Sequence, residues 1–98
     1  MPLSASQNRY LRGLAHSQSA LVLLGAKGAT AAVVKELDLA LSHHELVKVK
    51  LSGGDKDARA LQLDALAAGT HAETVHQVGH VVVLFRRNDD EPKIALPR

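Results

Sequence analysis

The stretch Leu21-Val22-Leu23-Leu24-Gly25-Ala26-Lys27-Gly28, with the helix-forming run that opens near Thr30, decides how this chain is read. A short apolar run ends in a glycine, and a second glycine follows at the GxxG spacing before a helical composition takes over. In physical terms this is a buried strand, a tight turn, and a helix whose free N–H groups gather at the turn. Gly25 and Gly28 give the backbone access to positive φ and let a ligand approach closely. Lys27 is the only charge in the loop. A lysine beside the positive end of a helix makes a small anion site.

Toward the N-terminus, Ser4 and Gln7 form a capping-box pattern that predicts a helix to about Ala15. Leu11, Leu14 and Ala15 share one face, while Arg9, Arg12 and His16 share another at spacings of three and four. That basic stripe is either a solvated face or a surface for a ligand. His16 to Ser19 is a polar break before a first strand at about Ala20 to Leu24. This strand is apolar at nearly every position, as expected where a parallel pair is covered on both sides.

Toward the C-terminus, a second helix is expected from about Thr30 to Ser42, with Val33, Val34, Leu37, Ala40 and Leu41 on one face and Leu39 pointing elsewhere. In the strand Glu45 to Leu51, Val47, Val49 and Leu51 face a core, and Leu46, Lys48 and Lys50 face water or a ligand. Ser52 to Asp55 is a loop with Asp55 as a helix cap. A third helix from about Lys56 to Ala68 buries Ala58, Leu61, Ala65 and Leu66 and stops at Gly69. A strand at Glu73 to Val78, a Gly79-His80 turn and a strand at Val81 to Arg86 complete the pattern. From Asn88 the chain turns acidic and then runs as an extended tail, with Ile94 and Leu96 pinned to the body.

The order is a helix followed by βαβαββ, an α/β chain of the two-layer α+β kind. Right-handed crossovers place both later helices on one face of a mixed sheet, with strand four antiparallel to strand three. The lysine face of strand two then lies away from those helices, and the first helix is available to cover part of it.

At 98 residues, 46% apolar and 22% charged, the chain is expected to form one domain over 1–98, with a folded core at 4–87 and a tail at 88–98. The absence of cysteine excludes a disulfide scaffold and thiolate chemistry and fits a reducing, cytoplasmic setting. Neither a secretory h-region nor a run approaching ~20 apolar residues occurs, so no membrane partner is expected. The net charge is only +2, so the placement of charges must carry any case for a polyanionic partner.

Four blocks, Gln7 to His16, Leu21 to Gly28 with its helix, His43 to Lys50, and Lys93 to Arg98, resemble in content and order the YhbY-like proteins. These are stand-alone bacterial versions of the CRM domain (chloroplast RNA splicing and ribosome maturation). The resemblance implies a fold similar to the C-terminal domain of translation initiation factor three, with sheet order 1-2-4-3. It also implies RNA binding, in particular of ribosomal RNA in precursors of the large subunit, and makes Gly25, Ala26, Lys27 and Gly28 part of the RNA surface. Residues 52–72 match more loosely, and no role is transferred to them.

On chemistry alone, the loop is neither a P-loop nor a GxGxxG motif, so nucleotide hydrolysis and dinucleotide binding have no support. Its closest physical analogue is the GXXG loop with which KH domains clamp nucleotide backbone. The only aromatics are Tyr10, read as core edge, and Phe85, read as core. A platform that stacks several bases needs more rings. Contacts are therefore expected mainly to phosphate and sugar, from Lys27, Arg9, Arg12, Lys48, Lys50, Arg86 and Arg87, unless these are ordinary solubilising charges. If strand two neighbours strand four, as the resemblance implies, Lys48 and Lys50 are expected to form a patch with Arg86 and Arg87. The six histidines show no metal-binding spacing, and Ser17, Ser19, Asp55, Asp57 and Asp64 form no catalytic constellation. The expectation is a monomer that is not an enzyme, with no metal, cofactor or small-molecule substrate. It either binds RNA and assists large-subunit assembly or serves as a protein-interaction module on ribonucleoprotein particles.

Overall fold

A computed structural model describes residues 3–97. Its elements are α1 (Ala5–His16), β1 (Val22–Leu23), α2 (Ala31–His44), β2 (Leu46–Lys50), α3 (Lys56–Thr70), β3 (Glu73–Val78) and β4 (Val81–Phe85). Each helix starts where a side chain caps it. Ser4 and Gln7 form a reciprocal capping box on α1, Thr30 accepts from the Val33 amide on α2, and Asp55 accepts from the Ala58 amide on α3.

The strands form one mixed sheet of order β1-β2-β4-β3. β1 runs parallel to β2, and β4 is antiparallel to both of its neighbours. A bulge between Thr74 and His76 interrupts the β3–β4 register. It lets Val75 pack beneath α1 while His76, opposite Val83, still serves the same face.

The two faces carry separate cores. On one, Val47, Val49 and Leu51 meet Leu37, Leu41 and Leu66 of α2 and α3. On the other, Leu11 and Ala15 of α1 settle on Leu46, Val83 and Phe85, with Ile94 and Leu96 of the tail packed alongside. Burial of a leucine contributes about 1.5–3 kcal/mol, so this seat stabilises a twelve-residue helix that would be marginal alone. The first helix thus covers part of the lysine face.

Three expectations need correction. β1 is shorter and one-sided: Val22 and Leu24 are buried, but Leu21 and Leu23 are 50% and 62% exposed. The core that α1 forms with the sheet takes its strand residues from β2, β4 and β3 only, so nothing in it covers the β1 edge. α3 does not stop at Gly69. A Cβ there would sit 2.7 Å from Val34 Cγ1, so the glycine permits close approach of α2, and the helix ends at His71 with φ 60°. The buried face of α3 is also rotated. Leu66 and Thr70 are inside, whereas Leu61 is 72% exposed and Ala65 is exposed. Phe85 is core, as expected, while Tyr10 stands out at 42% exposure.

Glu45 ends α2 with φ 62° and ψ −44°, and it is buried. Its carboxylate accepts from the amides of Asn88, Lys93 and Ile94, each at 2.7 Å. This latch is what pins the tail. Beyond it, Gln7 Nε2 donates to the Pro97 carbonyl at 3.0 Å, tying the tail to α1.

Candidate nucleic-acid interface

The GxxG segment is a tight turn. The Gly28 amide donates to the Gly25 carbonyl, and the Thr30 amide to the Gly28 carbonyl, both at 3.0 Å. Gly28 has φ +72° and is buried against Gln62, whose Cγ would lie 3.6 Å from an added Cβ. Gln62 in turn holds the neighbouring loop, accepting from the Ser52 amide at 3.0 Å and donating to Ser52 Oγ at 2.8 Å. The turn therefore rests on α3 and keeps its shape without a ligand.

Gly25 differs from the expectation. Its φ is not positive, and a Cβ there would meet nothing within 4 Å. Neither backbone conformation nor internal packing demands glycine at this position. Gly25, Ala26 and Lys27 are exposed. Among the described residues, the amides of Ala26 and Lys27 donate to no other group of the chain. The tip thus offers two N–H donors and one cation.

Leu23 pairs with Lys50, and Lys50 pairs with Val81, so the exposed Lys50 lies between the strand leading into the turn and β4. Beyond it, between α1 and the β3–β4 hairpin, runs a groove of about 590 Å³. Arg9, Arg12 and His16 line it from α1, Lys48 from β2 and His76 from β3, over a floor of Val78, Val81 and Val83. Lys48 is fixed in place, donating through Nζ to the Ala15 and Gln18 carbonyls at 3.3 and 3.2 Å, where it caps the C-terminal end of α1. The basic stripe of α1 and the lysines of β2 therefore share one side of the sheet with the open edge beside the turn. A smaller cleft of about 360 Å³ separates the turn from α3, lined by Lys27, Ser52 and the exposed Leu61. Sequence reasoning missed Gln62 and Leu61, which lie in the loosely matched middle segment.

Arg86 and Arg87 do not join this surface. Strand β2 does neighbour β4, but the antiparallel register puts Lys50 opposite Val81 and Leu46 opposite Phe85. Arg86 therefore lies past the other end, about 17 Å from Lys50 along the strand. Its guanidinium is also committed. NH1 meets Asp38 Oδ1 at 2.5 Å and the Thr70 carbonyl at 2.9 Å, and NH2 meets the Asp38 carbonyl and Ser42 Oγ, each at 2.9 Å. Arg87 is exposed, beside Asp89 at that far end. The expected four-residue patch is replaced by two separated pairs, and in the second Arg86 is structural while Arg87 is exposed.

Among the described residues, no group of three or more His, Cys, Asp or Glu side chains is placed to hold a metal ion. No helix among them is long and apolar enough to cross a membrane.

The sequence matches the family model of the CRS1/YhbY (CRM) domain over residues 3–86, and the chain belongs to that family. A Haemophilus influenzae protein named "RNA-binding protein" is 44% identical over 96 residues, covering 98% of this chain and 96% of the relative. A Pseudomonas aeruginosa relative is 32% identical over 88 residues, covering 90% of this chain and 85% of its own length. The solution structure of a Staphylococcus aureus protein described as a candidate RNA binder superposes with a TM-score of 0.82 at 30% identity, covering 98% of this chain and all of that one.

Proposed function

We propose that this protein is an RNA-binding protein, not an enzyme, that engages the phosphate backbone through Gly25 to Gly28 together with Arg9, Arg12, Lys48 and Lys50. The observation that carries this reading is the turn itself: an exposed Lys27 and two uncommitted amides on a bend that α3 holds in shape. Donors already in place lose little entropy on meeting an anion. The naming of its relatives supports RNA as the anion. The chain's own resemblance to the YhbY-like CRM family supports ribosomal RNA of the large-subunit precursor as the target, and the reading is completed by a cytoplasmic setting and a monomeric single domain.

Lys27→Glu tests the turn. Lys27 is exposed and has no partner among the described residues, so the melting temperature is expected to stay within about a degree. RNA affinity should fall, and the slope of log K against log salt should shrink by about 0.7–0.9, one phosphate's worth. Equal binding of mutant and parent at low salt, in a filter or anisotropy assay, would remove the turn from the interface.

Gly25→Ala separates folding from binding at the same turn. The position has ordinary φ and free space, so alanine should stabilise by about 0.4–1 kcal/mol. Its methyl group stands where a phosphate would approach, so affinity should drop. A stabilised variant that binds RNA undiminished would show that nothing docks closely at Gly25.

The exposed Leu21 and Leu23 on the β1 edge favour a second reading, a protein-docking module on a ribonucleoprotein. RNase treatment of an extract before gradient sedimentation distinguishes the two. Loss of co-migration with large-subunit precursors supports direct RNA contact, and persistence supports a protein partner.

A further inference from the structure

The groove between α1 and the β3–β4 hairpin contains a residue the fold does not explain. Gly13 lies inside α1 and lines the groove, and a Cβ added there would meet nothing within 4 Å. Glycine is among the least favourable residues in a helix interior. Here neither a positive φ nor a crowded neighbour calls for it. A bare stretch of helix backbone facing an open groove is suited to an occupant that comes close to that backbone.

The lining defines the occupant's chemistry. Its floor is aliphatic, with Val78 64% exposed beside Val81 and Val83. Its rim carries Arg9, Arg12, His16, His76 and the immobilised Lys48, and among the described residues no acidic side chain lines it. Four of those five rim groups are planar. Guanidinium and imidazole planes stack on splayed-out RNA bases as aromatic rings do, and the cations pair with phosphate. The volume, about 590 Å³, falls within the roughly 300–1,000 Å³ of small-ligand sites. Lys50 joins the groove to the strand that leads into the GxxG turn.

We infer that this groove receives one unpaired RNA nucleotide, with its base over Val78, Val81 and Val83 against Gly13 and its phosphate held by Arg9 and Arg12. The inference rests on the RNA-binding reading and adds a preference to it: RNA with a bulged or looped-out nucleotide over a continuous duplex. The signal normally sought, a set of Phe, Tyr or Trp side chains, is missing because the planes left to face the base are the imidazoles of His16 and His76.

The probes are two fluorescein-labelled RNA duplexes of about twelve base pairs, one continuous and one with a single bulged 2-aminopurine. The full chain should bind the bulged duplex about tenfold more tightly, as one stacked base provides, and should quench or shift the 2-aminopurine signal. Gly13→Gln fills the groove from the helix side, in open space, with a better helix former, so its melting temperature should hold or rise. It should abolish the preference while leaving continuous-duplex binding unchanged. Val78→Gln, at an exposed strand end and without a new charge, should also abolish the preference. Equal binding of both duplexes by the parent, with no effect of Gly13→Gln, overturns the nucleotide site and leaves RNA binding intact. Failure to bind either duplex overturns the RNA reading itself. A synthetic acidic peptide of alternating Leu and Glu pairs whose binding is lost in Gly13→Gln, while bulge preference persists, would assign the groove to a protein partner and also overturn the inference.

Discussion

Glu45→Ala is expected to lower the melting temperature by about 12–24 °C, the shift that corresponds to about 3 kcal/mol in a domain of this size. The carboxylate is buried and accepts from three backbone amides at 2.7 Å. Hydrogen bonds to a charged group contribute about 1.5–3 kcal/mol each, but the tail can move away and let water solvate its amides, so the sum is not lost in full. Alanine would also inherit φ 62° with nothing to hold it there. Glu45→Gly should therefore lose about 1 kcal/mol less than Glu45→Ala. Glu45→Gln keeps one oxygen for Lys93 and Ile94 but turns an NH2 toward the Asn88 amide, and it should fall between the parent and alanine. Circular-dichroism melts and limited proteolysis check the set. Cleavage within residues 88–97 should accompany the loss, and a Glu45→Ala protein that melts near the parent with an intact tail would refute the latch.

Arg86→Ala is expected to cost about 2–3 kcal/mol. One guanidinium holds the Thr70 carbonyl at the end of α3, and the Asp38 carbonyl, Asp38 carboxylate and Ser42 hydroxyl of α2. The ion pair itself is a small part, because the Asp38 side chain is 50% exposed and solvent screens it. Most of the effect comes from the carbonyls, which arginine's planar fork reaches together. Arg86→Lys should therefore recover less than half, since a point charge cannot bridge both helices. Asp38→Asn should cost under about 1 kcal/mol, and Arg87→Ala, at an exposed side chain, under about 0.5 kcal/mol. Urea denaturation curves give all four values, and an Arg86→Ala midpoint matching that of Arg87→Ala would show that the clamp contributes nothing.

What the sequence revealed depended on how sharply each segment contrasts its faces. Glu73–Val78 and the Gly79-His80 turn were legible because alternation and turn chemistry coincide there. Ser4 and Asp55 marked helix starts because capping is local. α3 was legible as a helix but not in its orientation. Ala58, Leu61, Leu63, Ala65, Leu66 and Ala67 surround it with apolar side chains, so no single stripe stands out, and tertiary contact with Val34 chooses the face. The GxxG turn was visible as a motif, but the different reasons for its two glycines were not, since φ and neighbouring space are properties of the folded chain. Arg86 was misjudged, and the role of Glu45 went unread, for one reason. Their partners lie about 40 residues or more away for Glu45 and 16 to 48 residues away for Arg86. A charge that is solvated by local appearance becomes structural only through distant chain.

The Glu45 latch has a bearing on the protein's quality control. Any translation product that stops before Asn88 still carries the helices, the sheet and the GxxG turn, yet it buries a carboxylate with no amide to receive it. Such a fragment must open the end of α2 to water to solvate that group, which weakens it. Proteases that sample opened chains would then remove the fragment before it competed with the intact protein for nucleic acid.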